Sequence, residues 1–410
     1  EIKIEAMSPH ELEEEGIAVE RSSGLHVVGV NEIVFLVGKE ANDSAVTAYS
    51  WSIASAPTGS VATLDSTDTW RTTFRPDVEG QFDISLTITT AQGTDDTTIT
   101  IYAAKYVGVG TIGGTTPQVP QCGVCHSDKV TEWEGTGHAS FFTRAMDGLV
   151  SSHYASYCIG CHTVGYNTNA DGNDGFDDVA ATEGWVFPDT LASGVWDSLL
   201  VANPNTMQKA NIQCENCHGP GSLHMGNTAK IGMSLDEGLC GQCHEEPPYH
   251  VKNLQLEKSG HFAATTLDYA GGRTGCRDCH SGDGFLNSLS GHFPEPMKAK
   301  IACATCHDPH DATNEHQVRK IDPVTLGDGT VFDFGMGNLC ANCHKGRRVA
   351  EEYAVEYHSH YGPHHGPQAD VIAGANAIFW GQPVDRVSAH NSSLTIKQDG
   401  CVACHMAPGI

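Results

Sequence analysis

From Phe82 to Ile101 apolar and polar positions alternate with period two. Phe82, Ile84, Leu86 and Ile88 are separated by polar residues, Ala91-Gln92-Gly93-Thr94-Asp95 interrupts the run, and Ile99 and Ile101 resume it. Successive side chains of a strand point to opposite faces, so this pattern predicts a β-hairpin with one buried face. Val27–Val37 and Tyr49–Ile53, the latter centred on Trp51, predict further strands behind an acidic lead of Glu11, Glu13, Glu14 and Glu15. Short strands divided by Gly, Pro and Asp turns predict an all-β sandwich over residues 1–105. Residues 106–121, carrying Gly108, Gly110, Gly113, Gly114, Pro117 and Pro120, read as a linker. No run approaches the ~18 apolar residues of a membrane span; Ile33–Val37 is strand-sized.

Residues 122–410 are organised by cysteine. All 16 cysteines fall there as eight Cys-x-x-Cys pairs, and a histidine follows each pair at once: Cys122/Cys125/His126, Cys158/Cys161/His162, Cys214/Cys217/His218, Cys240/Cys243/His244, Cys276/Cys279/His280, Cys303/Cys306/His307, Cys340/Cys343/His344 and Cys401/Cys404/His405. A structural zinc site has no use for a histidine at that position, and a thioredoxin-like dithiol would occur once. Covalent attachment of c-type haem uses every residue: two thiols form thioethers and the adjacent histidine is the proximal iron ligand. Histidine makes up 23 of 410 residues, so eight successive coincidences are excluded as chance. The expectation is eight haems in one octahaem cytochrome c domain, with the porphyrins replacing a side-chain core and the polypeptide mostly coil and short α-helices around them. The motif spacing shows no strict repeat but brings the third close to the fourth and the fifth close to the sixth.

Attachment of such haem takes place outside the cytoplasmic membrane. The chain is therefore expected to be exported, extracellular or at the cell surface, alternatively periplasmic, and to be numbered as a mature product. No cysteine lies near the N-terminus, so no lipid anchor is expected there. The net charge of −27 opposes nucleic-acid binding and favours cationic or metal-bearing partners.

An iron that only carries electrons is usually ligated on both faces, and one that binds substrate keeps a face open. Within residues 122–410 thirteen histidines remain beyond the proximal eight: His138, His153, His224, His250, His261, His292, His310, His316, His358, His360, His364, His365 and His390. His138, His261, His292 and His390 each follow two small residues, which let backbone approach a flat ring. With His153, His224, His310 and His364 they make the expected distal set. His310 is too near His307 to reach the opposite face of the same iron and is expected to serve a neighbour. His364 is chosen over His358, His360 and His365 from the stretch Tyr357–Gln368, and His250 and His316 are read as solvated.

These residues carry resemblances. Cys158-Ile159-Gly160-Cys161-His162-Thr163-Val164-Gly165-Tyr166 and Cys214-Glu215-Asn216-Cys217-His218-Gly219-Pro220-Gly221-Ser222-Leu223-His224 resemble the cytochrome c554 family of multihaem cytochromes. Pro363–Gln368 and Cys401–Met406 resemble the extracellular multihaem cytochromes of metal-reducing microbes, some of which polymerise into filaments. Tyr49–Ile53, Phe74–Asp77 and Leu86–Thr89 resemble a PKD-type immunoglobulin-like domain. The resemblance implies stacked haems, bis-histidine ligation and long-range electron transfer to redox partner proteins or extracellular acceptors, with self-association.

Known octahaem and pentahaem reductases often mark their catalytic haem by a lysine in place of the motif histidine, whereas all eight motifs here end in histidine. The chain is accordingly expected to be an electron carrier and not an enzyme. The alternative is an octahaem reductase of nitrogen or sulfur compounds with one open haem, its pocket drawn from Tyr353, Tyr357, His358, His360 and Tyr361. A calcium ion is a further expectation at Asn167, Asn169, Asp171 and Asp178, where oxygen-ligand spacing and Gly172 match an EF-hand-type loop.

Overall fold

The computed structural model describes residues 1–17, 20–42, 44–109, 121–291, 293, 297–354, 366–378 and 389–406. Contacts divide the chain into two compact units, Glu1–Ser259 and Gly260–Ile410. The division falls beyond the fourth motif.

The first unit opens with eight strands: β1 (Ile2–Met7), β2 (Ser22–Ser23), β3 (Val27–Gly29), β4 (Val34–Gly38), β5 (Val46–Ser55), β6 (Arg71–Phe74), β7 (Gly80–Thr90) and β8 (Gly93–Ala104). They form two four-stranded sheets, ordered β2-β1-β4-β6 and β3-β8-β7-β5. Both sheets face one core, with Ile4, Val34, Leu36 and Phe74 from the first and Trp51, Phe82, Ile84, Leu86 and Ile101 from the second. The β7–β8 hairpin places Phe82 opposite Ile101 and Ile84 opposite Ile99. Its reversal is tighter than predicted, because Thr94 and Asp95 already pair with Thr89 and Ile88.

The apolar run Val27–Val37 is two strands rather than one. β3 lies in one sheet and β4 in the other. Between them Asn31 takes a left-handed φ of 62°, and the Glu32 carboxylate accepts from the Gly29 amide at 2.7 Å. The acidic lead is the helix Pro9–Glu14. Ser8 caps it, accepting from the Glu11 amide at 3.1 Å while Glu11 accepts from the Ser8 amide at 2.7 Å.

The start of the predicted linker is fixed to the motif region. The Tyr106 hydroxyl donates to Glu32 at 2.8 Å. The Glu215 carboxylate, inside the third motif, accepts from the amides of Val107, Gly108 and Gly221 at 2.7–3.1 Å. Gly165, with φ +65°, faces the Tyr106 ring, where a Cβ would lie 2.3 Å away. Residues 110–120 lie outside the described residues.

Helices beyond β8 in this unit reach at most eight residues among those described, as in Ser127–Glu134, Phe176–Glu183 and Val195–Ala202. They nonetheless share a side-chain core of Trp133, Phe142, Met146, Phe176, Trp196 and Met207. This corrects the expectation that the porphyrins alone would supply one. The second unit holds a smaller core of Leu326, Phe332, Phe334, Ala341, Ala369 and Ala373.

Candidate haem centres

Every motif lies on a short helical turn: Cys122–Cys125, Ser156–Cys161, Cys214–His218, Glu237–His244, Arg277–His280, Cys303–Cys306, Gly337–Cys343 and Val402–His405. Residues three apart share a helix face, so both thiols of a motif project together. In most motifs the histidine amide closes the turn on the first cysteine, as in His126 to Cys122 at 2.8 Å and His307 to Cys303 at 2.9 Å, whereas His162 closes on Ile159 at 3.0 Å. All sixteen cysteines are free of disulfides.

Motifs meet in pairs that sequence distance does not predict. The Cys122 thiol lies within hydrogen-bonding reach of Cys214, Cys161 of Cys243, Cys279 of Cys343, and Cys340 of Cys401. The first motif therefore meets the third, the second the fourth, the fifth the seventh, and the seventh the eighth. The fifth and seventh pack reciprocally: Cys279 points at the Asn342 carbonyl, 4.0 Å away, and Cys343 at the Asp278 carbonyl, 3.9 Å away.

Cys404 stands out among the motif cysteines. It and Cys125 are exposed, whereas the remaining cysteines are half-buried. The eighth motif meets the seventh through Cys401, on the side of Cys340. Cys404 lies almost one turn further along the helix Val402–His405, and its neighbours His405 and Met406 are exposed with it. The protein therefore covers one thiol of this motif and leaves the other at the surface.

The histidines supply the test of whether haem fits. A metal–imidazole bond is about 2 Å, so two imidazoles on opposite sides of one metal have ring centres roughly 6 Å apart. Proximal His126 faces His224 at 6.2 Å with planes 16° apart. His244 faces His138 at 6.2 Å and 60°, and His344 faces His261 at 5.9 Å and 63°. These spacings and the projecting thiol pairs fit c-type haem. Burial holds the His138 and His261 imidazoles below their ordinary pKa, His344 adding to the effect at His261; the neutral ring is the ligating form. Nδ1 of several proximal rings is engaged, with His218 on the Gly232 carbonyl at 2.8 Å and His307 on the His316 carbonyl at 2.7 Å. Such contacts fix the ring and leave Nε2 for iron. They also give His316 a backbone role.

The other expected distal ligands stand apart from this pattern. His153 is exposed and bonds Ser151 Oγ at 2.7 Å. His310 is bound to Asp308 at 3.3 Å, and His390 is exposed in a turn. His292 and His364 lie outside the described residues, as do Tyr357, His358, His360, Tyr361 and His365. His250 is exposed, in line with its reading as solvated, and its ring centre lies 6.5 Å from that of His244.

His162 has different surroundings. Phe141 stacks on its ring at 4.3 Å and Tyr154 at 5.4 Å. Burial, then His250, Arg21, His244 and His138, lowers its pKa to about 4. The Tyr154 hydroxyl and His162 Nδ1 are buried without a hydrogen-bond partner among the described residues. Burial also raises the Tyr154 pKa, with Cys158 and Cys161 adding to it, so the hydroxyl stays protonated.

The Asn167–Asp178 loop spends its oxygens locally. Asp178 accepts from the amides of Gly172 and Asp174, each at 2.9 Å, and Asn167 accepts from Asn169 at 3.0 Å. These are the contacts of a polar turn.

Residues 121–180 match the sequence model of the family described as Cytochrome c554 and c-prime. The chain is also 26% identical over 184 residues to the dissimilatory sulfite reductase MccA of Wolinella succinogenes, a match covering 43% of this chain and 21% of that protein. Among solved structures it is similar to the PKD domain from KIAA 1837 protein, at 17% identity and a TM-score of 0.18, over 21% of this chain and 83% of that domain. The family match implies c-type haem and electron transfer in a chain of an exported class. No helix among the described residues is long and apolar enough to cross a membrane. The expectation of a carrier that is not an enzyme is overturned by the match to a reductase.

Proposed function

We propose that the chain is part of a multihaem c-type reductase acting on a sulfur or nitrogen oxyanion, with eight haems held by its sixteen cysteines. The similarity to a dissimilatory sulfite reductase carries this reading. Bound haem would supply one-electron iron chemistry; the residues around it close, open or polarise each site. His224, His138 and His261 cap the centres of His126, His244 and His344, and four of His153, His292, His310, His364 and His390 cap those of His218, His280, His307 and His405, which leaves the His162 centre open. His162 is the proximal ligand of the substrate centre. Phe141 and Tyr154, stacked against that ring, hold its plane and keep water from it.

The N-terminal sheets serve as an immunoglobulin-like module over 1–105, joined through 106–121 to the haem region 122–410. A second reading is long-range electron transfer to an extracellular acceptor, by self-association into a filament. Three histidine pairs at axial spacing favour it, since closed irons conduct without binding substrate.

The test is reoxidation of the viologen-reduced holoprotein by sulfite or nitrite, followed in the haem absorption. One oxyanion should give turnover, and the oxidised protein should carry one high-spin iron per chain. No acceleration by either oxyanion, together with entirely low-spin iron, would leave the second reading in place.

A further inference from the structure

Glu11, Glu245 and Glu257 converge from separate parts of the first unit. Glu11 lies on the helix Pro9–Glu14, Glu245 directly follows proximal His244, and Glu257 ends the helix Lys252–Glu257. One carboxylate oxygen of each lies within 4.8 Å of the others. Glu245 is 1% exposed and the other two are half-buried. Burial pushes Glu11 and Glu257 above the usual carboxylate range, and Glu245 adds to the shift at both. Three carboxylates drawn together out of water are costly unless a positive charge joins them.

A second observation points to that charge. Asn253 is 3% exposed, and its Nδ2 donates to Glu245 and, at 3.1 Å, to Glu257. Its Oδ1 is buried with no hydrogen-bond partner among the described residues. A buried carbonyl oxygen is rarely left so. Turning the amide by half a rotation exchanges O for N and directs the carbonyl at the carboxylates. That orientation is repulsive around an empty centre and attractive around a cation.

We propose that Glu11, Glu245, Glu257 and Asn253 Oδ1 form a calcium site that clamps the N-terminal helix to the segment following His244. The donors are all hard oxygens, which select calcium or magnesium over metals that prefer imidazole or thiolate. Calcium accepts irregular all-oxygen ligand sets, whereas magnesium demands a near-ideal octahedron and keeps most of its waters. Ser8 Oγ donates to Glu245 Oε1 at 3.1 Å and fixes that carboxylate. The partial exposure of Glu11 and Glu257 leaves the remaining positions to water. The site is separate from the Asn167–Asp178 loop.

The experiment is calorimetric titration of chelator-treated holoprotein with calcium chloride, beside thermal melting. Wild type should bind one calcium per chain and melt higher with calcium than with chelator. Glu257→Gln should bind at least tenfold more weakly, while Asp178→Asn should bind as wild type. Asn253→Asp adds a fourth carboxylate. It should melt below wild type in chelator and recover that loss in calcium. Absence of calcium binding by wild type, unchanged binding by Glu257→Gln, or a calcium-independent loss in Asn253→Asp would each overturn the proposal.

Discussion

The Cys243 thiol of the fourth motif points at the Cys161 carbonyl of the second, 3.8 Å away across 82 residues of chain. Arg21, from the β-rich region, reaches the same place and donates through Nη2 to Cys161 Sγ at 3.1 Å. A buried guanidinium there favours electrons arriving nearby. Arg21→Gln should therefore make one midpoint potential more negative by on the order of 50 to 100 mV, the effect of a unit charge at roughly 8 Å in an effective dielectric of about 20. Spectropotentiometry checks this. An unchanged set of potentials would show that Arg21 serves packing alone.

His126 and His224 have nearly parallel rings, whereas the His138–His244 and His261–His344 pairs are steeply crossed. Parallel axial rings split the iron orbitals and give a rhombic low-spin resonance; crossed rings give a signal with one large g value. Both should appear in the oxidised protein. His224→Ala should diminish the rhombic component by one iron and open one carbon-monoxide site per chain. His153→Ala should leave that component unchanged.

If every motif carries its haem, the thiol pairs seen at Cys122–Cys214 and Cys340–Cys401 exist as thioethers in the mature protein. The intact mass should then equal the polypeptide plus eight haems, and no cysteine should react with iodoacetamide after denaturation. Exposed Cys404 makes the eighth motif the most stringent case. A single alkylated cysteine, there or elsewhere, would identify a motif left without haem.

The hairpin from Phe82 to Ile101 was legible because a sheet with one buried face imposes period two. Val27–Val37 was misread because a segment buried on both sides loses that alternation, and the turn at Asn31 shows only as one residue able to take a positive φ. The motifs were legible because thioether chemistry demands adjacent residues. The meeting of Cys161 with Cys243 was not, since contact through space leaves no mark on spacing. The exposure of Cys404 was hidden for a related reason: identical motifs carry no record of what packs over them. Likewise the convergence of Glu11, Glu245, Asn253 and Glu257 carried no signal in sequence.

Glu183 links the helix it ends to the turn at Asn205–Thr206, accepting from both amides and from the Thr206 hydroxyl at 2.7–3.1 Å. Burial alone would raise its pKa, but these hydrogen bonds outweigh burial and hold it below the ordinary glutamate value of 4.5. A carboxylate with a depressed folded pKa binds fewer protons in the native state. It therefore contributes stability above pH 4.5 that is lost as pH falls through the folded value. Glu183→Gln should cost about 1 to 2 kcal/mol at neutral pH, where charge-assisted bonds are lost. The difference from wild type should shrink steadily below pH 4.5. Thermal melts across pH 3 to 7, followed by far-ultraviolet circular dichroism, read both effects, and a difference independent of pH would show that the hydrogen bonds do not depend on the charge.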